Sequence, residues 1–130
     1  MRVWDPEHYQ LHTVLIGHRA NVNSIVFSEN GSTIVTASED GTLRLWDAQT
    51  GLEQAALWGH VGPVLTVAIS QDEQMLASGS RDGTLRLWST RSLTEQAVFE
   101  VAGGAPVLSL AFGLNGLMLV SGTESGVVQV

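Results

Sequence analysis

Apolar positions along this chain fall in short runs separated by polar turns. No ten-residue window presents an amphipathic helical face, so no helix of that length is predicted. Val22–Phe27, Val64–Ile69 and Val107–Phe112 are rich in β-branched and large apolar residues and read as strands. Each precedes a polar or Gly-bearing turn: Ser28-Glu29-Asn30-Gly31, Ser70-Gln71-Asp72-Glu73 and Gly113-Leu114-Asn115-Gly116. A second run follows each turn, at Thr33–Ala37, Met75–Ala77 and Leu117–Val120. Asp40-Gly41 and Asp82-Gly83 predict tight hairpins, because Gly takes a positive φ without steric cost. A third strand carries Leu-Arg-Leu-Trp, and a fourth is expected around Gln54–Leu57 and again around Gln96–Phe99. The first strands show little alternation, which implies burial on both faces. Arg44 and Arg86 are expected to mark the approach to a solvent-exposed rim.

The pattern repeats. Gly17-His18 recurs as Gly59-His60, 42 residues on, and Asp40-Gly41-Thr42-Leu43-Arg44-Leu45-Trp46 recurs at the same shift as Asp82-Gly83-Thr84-Leu85-Arg86-Leu87-Trp88. Trp4-Asp5 lies one period before Trp46-Asp47. Pro106-Val107-Leu108 repeats Pro63-Val64-Leu65 with one residue added. The expected division is a tail over 1–16 with a strand near Thr13–Ile16, full repeats over 17–58 and 59–101, and a degenerate, shortened repeat over 102–130. Four antiparallel strands per unit of this length predict an all-β chain of β-propeller blades: two full blades, most of a third and the outer strands of another.

Gly17-His18 with Trp46-Asp47, and Gly59-His60 with Trp88-Ser89, resemble the signature of the WD-repeat β-propellers. The resemblance covers essentially the whole chain and includes spacing as well as residue type. It implies a buried tetrad in each full repeat: His18, Thr36, Asp40 and Trp46 in the first, His60, Ser78, Asp82 and Trp88 in the second. A chain from indole to hydroxyl to imidazole to carboxylate satisfies the donors and acceptors of all four groups. Left half-made, each buried group would cost about 1–3 kcal/mol. The third repeat departs from the pattern: Val101-Ala102-Gly103 replaces Gly-His, Ser125 replaces Asp, and only Ser121 is kept. It is expected to be held by apolar packing alone and to be the least stable.

Composition narrows the functional classes. The chain has 130 residues, 44% hydrophobic and 15% charged, which excludes a disordered chain. Thirteen acids against six bases give a net charge of −7, and the bases are scattered singly, so neither nucleic acid nor an anionic membrane surface is an expected partner. There is no Cys, and no apolar stretch approaches the roughly 20 residues of a membrane-spanning helix. The first residues lack the apolar core of a signal peptide. The expected location is the cytoplasm.

Candidate chemistry is sparse. His18, Asp40 and Thr36 match a hydrolase triad in residue type, but a set that returns 42 residues later reads as a structural device. Glu7, His8 and His12 read as loop polarity and not as metal ligands. Gly103-Gly104 is followed by no Lys and no helix start, so it reads as a turn and not a phosphate loop. No catalytic residue, cofactor or metal is expected. Ile16 and Trp58 lie at equivalent positions before Gly-His; Trp58 is expected either to lie on a neighbouring blade or to contact another chain at the outer rim.

The resemblance puts a partner surface on the face that carries the loops before the first strand and the turns between the second and third. The candidates there are Asn21, Asn23 and Glu39, then Pro63, Leu65 and Arg81, then Pro106, Leu108 and Glu124. An apolar middle with flanking charge suits a peptide or protein, with Arg81 as anchor. The expected function is a non-catalytic protein-interaction scaffold. The alternatives are a regulatory or sensor propeller within a larger signalling protein, or a partial propeller that assembles from copies. Closed propellers have 4–8 blades, so the ring is incomplete, and its missing blades come from a longer chain or from homo-oligomerisation.

Overall fold

A computed structural model describes residues 1–113 and 116–130. The turn residues Leu114 and Asn115 lie outside the described residues. Thirteen strands form four antiparallel sheets among the described residues. β1 (Arg2–Asp5) pairs with β2 (Gln10–Val14). β3 (Val22–Phe27), β4 (Thr33–Ser38), β5 (Thr42–Asp47) and β6 (Glu53–Trp58) form a meander in chain order. β7 (Val64–Ile69), β8 (Met75–Ser80), β9 (Thr84–Ser89) and β10 (Glu95–Glu100) repeat it. β11 (Val107–Gly113), β12 (Met118–Thr123) and the two-residue β13 (Val128–Gln129) form the last sheet. The described residues contain no α-helix; a 3₁₀ turn spans Ala102–Gly104.

Register repeats with the sequence. Ile34 pairs with Trp46 as Leu76 pairs with Trp88. Both first hairpins carry an irregularity at their start, between Val22 and Ser24 and between Val64 and Thr66. The sheets stack through their first strands, β3 on β7 and β7 on β11. The main core lies between the two four-stranded sheets, where Val35, Leu45, Val64, Val67, Leu76 and Trp88 pack together. A smaller core joins Leu15, Ile34 and Trp46 to Met1 and Val3 of the first sheet. These sheets are consistent with incomplete propeller blades, and among the described residues they do not close a ring.

Several expectations need correction. The strand of the tail is Gln10–Val14, earlier than the expected stretch near Thr13–Ile16; Leu15 continues its pairing by exchanging backbone bonds with Met1 at 2.9 Å and buries its side chain in the small core. Arg44 does not approach a rim: it is buried and paired with Glu53, and the half-buried Arg86 is paired likewise with Glu95. β3 is not buried on both faces as β7 is: Asn23, Ile25 and Phe27 alternate as exposed positions along it. The last sheet is not held by apolar contacts alone: Thr123 Oγ1 lies 2.9 Å from Ser125 Oγ and donates to the Val127 carbonyl at 3.2 Å.

Candidate functional site

Two quartets of side chains are bonded in the same way, one in each four-stranded sheet. In the first, the Trp46 indole N–H donates to Thr36 Oγ1 at 2.9 Å. Thr36 Oγ1 lies 2.6 Å from His18 Nε2, and His18 Nδ1 lies 2.8 Å from Asp40 Oδ2. In the second, Trp88 Nε1 donates to Ser78 Oγ at 2.8 Å, Ser78 Oγ lies 2.8 Å from His60 Nε2, and His60 Nδ1 lies 3.0 Å from Asp82 Oδ2. A carboxylate only accepts, so Nδ1 carries the imidazole proton and Nε2 accepts from the hydroxyl. The bonds thus run unbroken from indole to hydroxyl to imidazole to carboxylate.

The backbone explains why these residues meet. Thr36 and Ser78 lie on the second strand, and Trp46 and Trp88 on the third, one step across the ladder. Gly41 and Gly83 stand at φ +83° and +81°, closing the turns that place each Asp under its imidazole. Gly17 and Gly59 precede the histidines for a different reason. A Cβ on Gly17 would lie 2.5 Å from the Arg44 guanidinium and 2.9 Å from the Trp46 ring. On Gly59 it would lie 2.9 Å from both the Arg86 guanidinium and the Trp88 ring.

Each carboxylate has further donors. Asp40 accepts from the Arg19 N–H at 3.0 Å, the Thr42 N–H at 3.1 Å and the Thr42 hydroxyl at 2.6 Å. Asp82 accepts from the Val61 and Thr84 N–H groups and from the Thr84 hydroxyl at 2.6 Å. Burial pushes both carboxyls up, but the bonds from Thr42, Arg19 and His18 hold Asp40 well below the usual carboxylate range. For Asp82, the bonds from Thr84 and His60 outweigh burial and bring the carboxyl down to about 2. Burial pushes His60 below its ordinary value, against the pull of Asp82. Both carboxylates are therefore ionised at neutral pH, and the His60 ring is neutral.

Sequence reasoning missed Thr42 and Thr84, although Asp-Gly-Thr stands in both repeats. It also missed the Arg44–Glu53 and Arg86–Glu95 pairs, whose signal was an Arg followed nine residues later by Glu, twice. These pairs join the third strand to the fourth and press on the glycine before each histidine.

The candidate partner residues fall together in pairs through one repeated backbone bond. The Glu39 N–H donates to the Asn21 carbonyl, Arg81 to Pro63 and Glu124 to Pro106, at 2.9, 2.9 and 3.0 Å. Asn21 also donates from its amide to Glu39 at 3.2 Å. Arg81, Glu39 and Glu124 are exposed, Leu108 is half-exposed, and Pro63, Leu65 and Pro106 are half-buried. Asn23 is set apart: its amide donates to the Val64 carbonyl at 2.9 Å and ties two sheets together. Ile16 and Trp58 are exposed, so no neighbouring sheet covers the Trp58 ring. His8 lies 2.7 Å from Asp5 in an exposed turn. Among the described residues no cluster of His, Cys, Asp or Glu could hold a metal ion.

The family model for the WD domain, G-beta repeat, matches residues 9–47 and 51–89, more than half of the chain. The chain belongs to the WD40 family. No curated protein matches it. Each matched WD unit begins just before the last strand of the preceding sheet and ends one residue past the Trp of a quartet. The WD unit is thus staggered by one strand against the sheet. A unit donates its first strand to one sheet and its other three to the next, so covalent continuity fastens neighbouring sheets. WD repeats generally act as scaffolds for protein–protein interaction, and the family is typically non-catalytic.

Proposed function

We propose that this chain is a non-catalytic scaffold, built from units over 17–58 and 59–101 between a tail over 1–16 and a degenerate unit over 102–130, which holds a protein or peptide on its loop edge. The observation that carries this reading is how the titratable side chains divide. His18, Asp40, His60 and Asp82 spend both ring nitrogens and both carboxylate oxygens on the protein itself, which leaves none of these four free to act on a substrate. The quartets are structural: they tie the Gly-His loop, two strands and the hairpin turn of each sheet into one unit. The loops they hold are free to make contacts.

The partner edge runs along the Asn21–Glu39, Pro63–Arg81 and Pro106–Glu124 pairs. Arg81 is exposed between two acidic neighbours in the series, with Leu65 and Leu108 as the apolar part. This arrangement favours a peptide with an acidic residue beside an apolar one. The chain works in the cytoplasm on this reading, consistent with its lack of Cys. Among the described residues no helix is long and apolar enough to cross a membrane.

Selection of a displayed random-peptide library on the immobilised chain tests the reading. Enriched peptides are expected to lose at least about tenfold in affinity, roughly 1.4 kcal/mol, for the Arg81→Glu variant, with its unfolding midpoint unchanged. Absence of enrichment, or equal binding to the variant, contradicts it.

A further inference from the structure

We infer that Asn30, in the turn between β3 and β4, is a self-modification site: the Gly31 nitrogen closes on the Asn30 amide, and water opens the resulting imide to Asp. The turn lies at the far end of the strands from the loop edge, and the inference does not depend on the scaffold reading. Its basis is a pair of equivalent turns. In the first, Asn30 Oδ1 accepts from the Ser28 hydroxyl at 2.8 Å, the Ser32 N–H at 2.9 Å and the Ser32 hydroxyl at 2.7 Å. In the second, Asp72 Oδ1 accepts from the Ser70 hydroxyl at 2.6 Å and the Gln74 N–H at 3.1 Å. Ser28 Oγ and Ser70 Oγ each accept at 3.0 Å from a backbone N–H, that of Thr33 and that of Met75. One turn is thus built twice, once around an amide and once around a carboxylate.

Three features of the first turn favour the conversion. Gly31 follows Asn30 and has no Cβ to keep its nitrogen from the neighbouring side chain. Both residues are exposed, and a Cβ placed on Gly31 would meet nothing within 4 Å, so water and hydroxide reach the reacting atoms. The third feature is the set of donors. The Gly31 N–H must first leave the Ser28 carbonyl, to which it donates at 2.9 Å. Hydroxide then takes its proton, and the nitrogen bonds to Asn30 Cγ. Negative charge moves onto Oδ1, the atom on which the three donors already converge. Collapse breaks the Cγ–Nδ2 bond, Nδ2 takes a proton from water and leaves as ammonia, and a five-membered imide remains. Water then adds to Cγ, and the bond from Cγ to the Gly31 nitrogen breaks as that nitrogen regains a proton. One water is consumed and one ammonia released, with no oxidation or reduction.

The second turn shows that the product fits. The bonds from Ser70 and Gln74 hold the Asp72 carboxyl below the ordinary 3.8, so they favour the ionised form. Bonds to an ionised acceptor are shorter and stronger than bonds to an amide oxygen. A carboxylate at position 30 therefore keeps the donors that the amide has and binds them more tightly. Attack of water on the Asn30 backbone carbon instead would route the main chain through the side chain and pull Oδ1 away from Ser32, so the fold favours the ordinary Asp. The converted chain carries one negative charge more than the −7 of the parent.

The parent chain and Ser32→Ala are aged at neutral pH, folded and in urea. Trypsin cuts after Arg19 and Arg44, and fragment-ion mass spectrometry of the peptide over 20–44 separates Asn30 from Asn21 and Asn23, and Asp from its iso-linked isomer. In the folded parent, Asn30 is expected to convert, mainly to ordinary Asp, while Asn21 and Asn23 stay intact. Folded Ser32→Ala, with one donor fewer on Oδ1, is expected to convert at least about threefold more slowly, and in urea at the rate of the parent. Asn30→Asp is expected to unfold at a higher urea concentration than the parent at neutral pH. That advantage is expected to disappear as pH falls below 3.8, the ordinary carboxyl value, because a carboxyl held low by the fold stabilises only while it is ionised. Conversion in urea only, folded Ser32→Ala converting as fast as the folded parent, a mainly iso-linked product, or Asn30→Asp unfolding before the parent at neutral pH overturns the proposal.

Discussion

At the scale of the residue, Asp82 is the most heavily bonded group of its quartet, with one imidazole, two backbone N–H groups and a hydroxyl donating to it. Its carboxyl lies at about 2, below the ordinary 3.8, and burial holds His60 below 6.5. In both cases the unfolded chain binds protons that the folded chain does not, so stability falls as pH falls. The loss begins as pH drops through 6.5, where His60 protonates in the unfolded chain. It steepens below 3.8 and is complete only once Asp82 protonates in the folded state near 2. Asp82→Asn is expected to cost about 1–3 kcal/mol at pH 7, since it replaces one acceptor oxygen by a donor facing donors. The gap between variant and parent is expected to narrow as pH approaches 2. Urea unfolding of both proteins across this range measures it; a gap independent of pH contradicts the assignment.

At the scale of the element, the strands and the hairpins were legible in the sequence, because the motif repeats at fixed spacing and Gly marks its turns, and the eight quartet residues followed from the resemblance to WD repeats. The parts that were not legible depend on contacts between elements. Arg44 reads as a surface residue until Glu53 on the next strand is seen to pair with it. Asn23 reads as a loop-edge polar group until its amide meets the Val64 carbonyl of the neighbouring sheet. Leu15 and Ile16 read alike as the end of a strand, yet the Leu15 side chain is buried against Trp46 while Ile16 is exposed. The last sheet differs from its neighbours in the same terms. It has Ser121 without an imidazole, Ser125 where the others have Asp, and a two-residue third strand. Amide hydrogen exchange is expected to be at least about a hundredfold faster in β12 than in β4 and β8, corresponding to about 2.7 kcal/mol of local stability. Equal protection in the three strands would mean that the quartets contribute little to the sheets that carry them.

At the scale of the whole molecule, the stack of sheets is held by two kinds of joint. One is apolar, where Val67 and Leu76 of one sheet meet Val35 and Leu45 of the other. The second is the stagger of the WD unit, which makes each sheet share a unit with its neighbour. Neither joint fixes the strands within a sheet against the Gly-His loop; that is the work assigned to the quartets, and the account depends on it. The indole protons report on it directly, because Trp46 and Trp88 donate to hydroxyls inside the quartets while Trp58, 66% exposed, serves as an internal control. In one series of spectra after transfer to deuterated water, the Trp46 and Trp88 indole signals are expected to persist long after that of Trp58 has gone. Loss of all three at the same rate would contradict the bonded quartets and the fold account built on them.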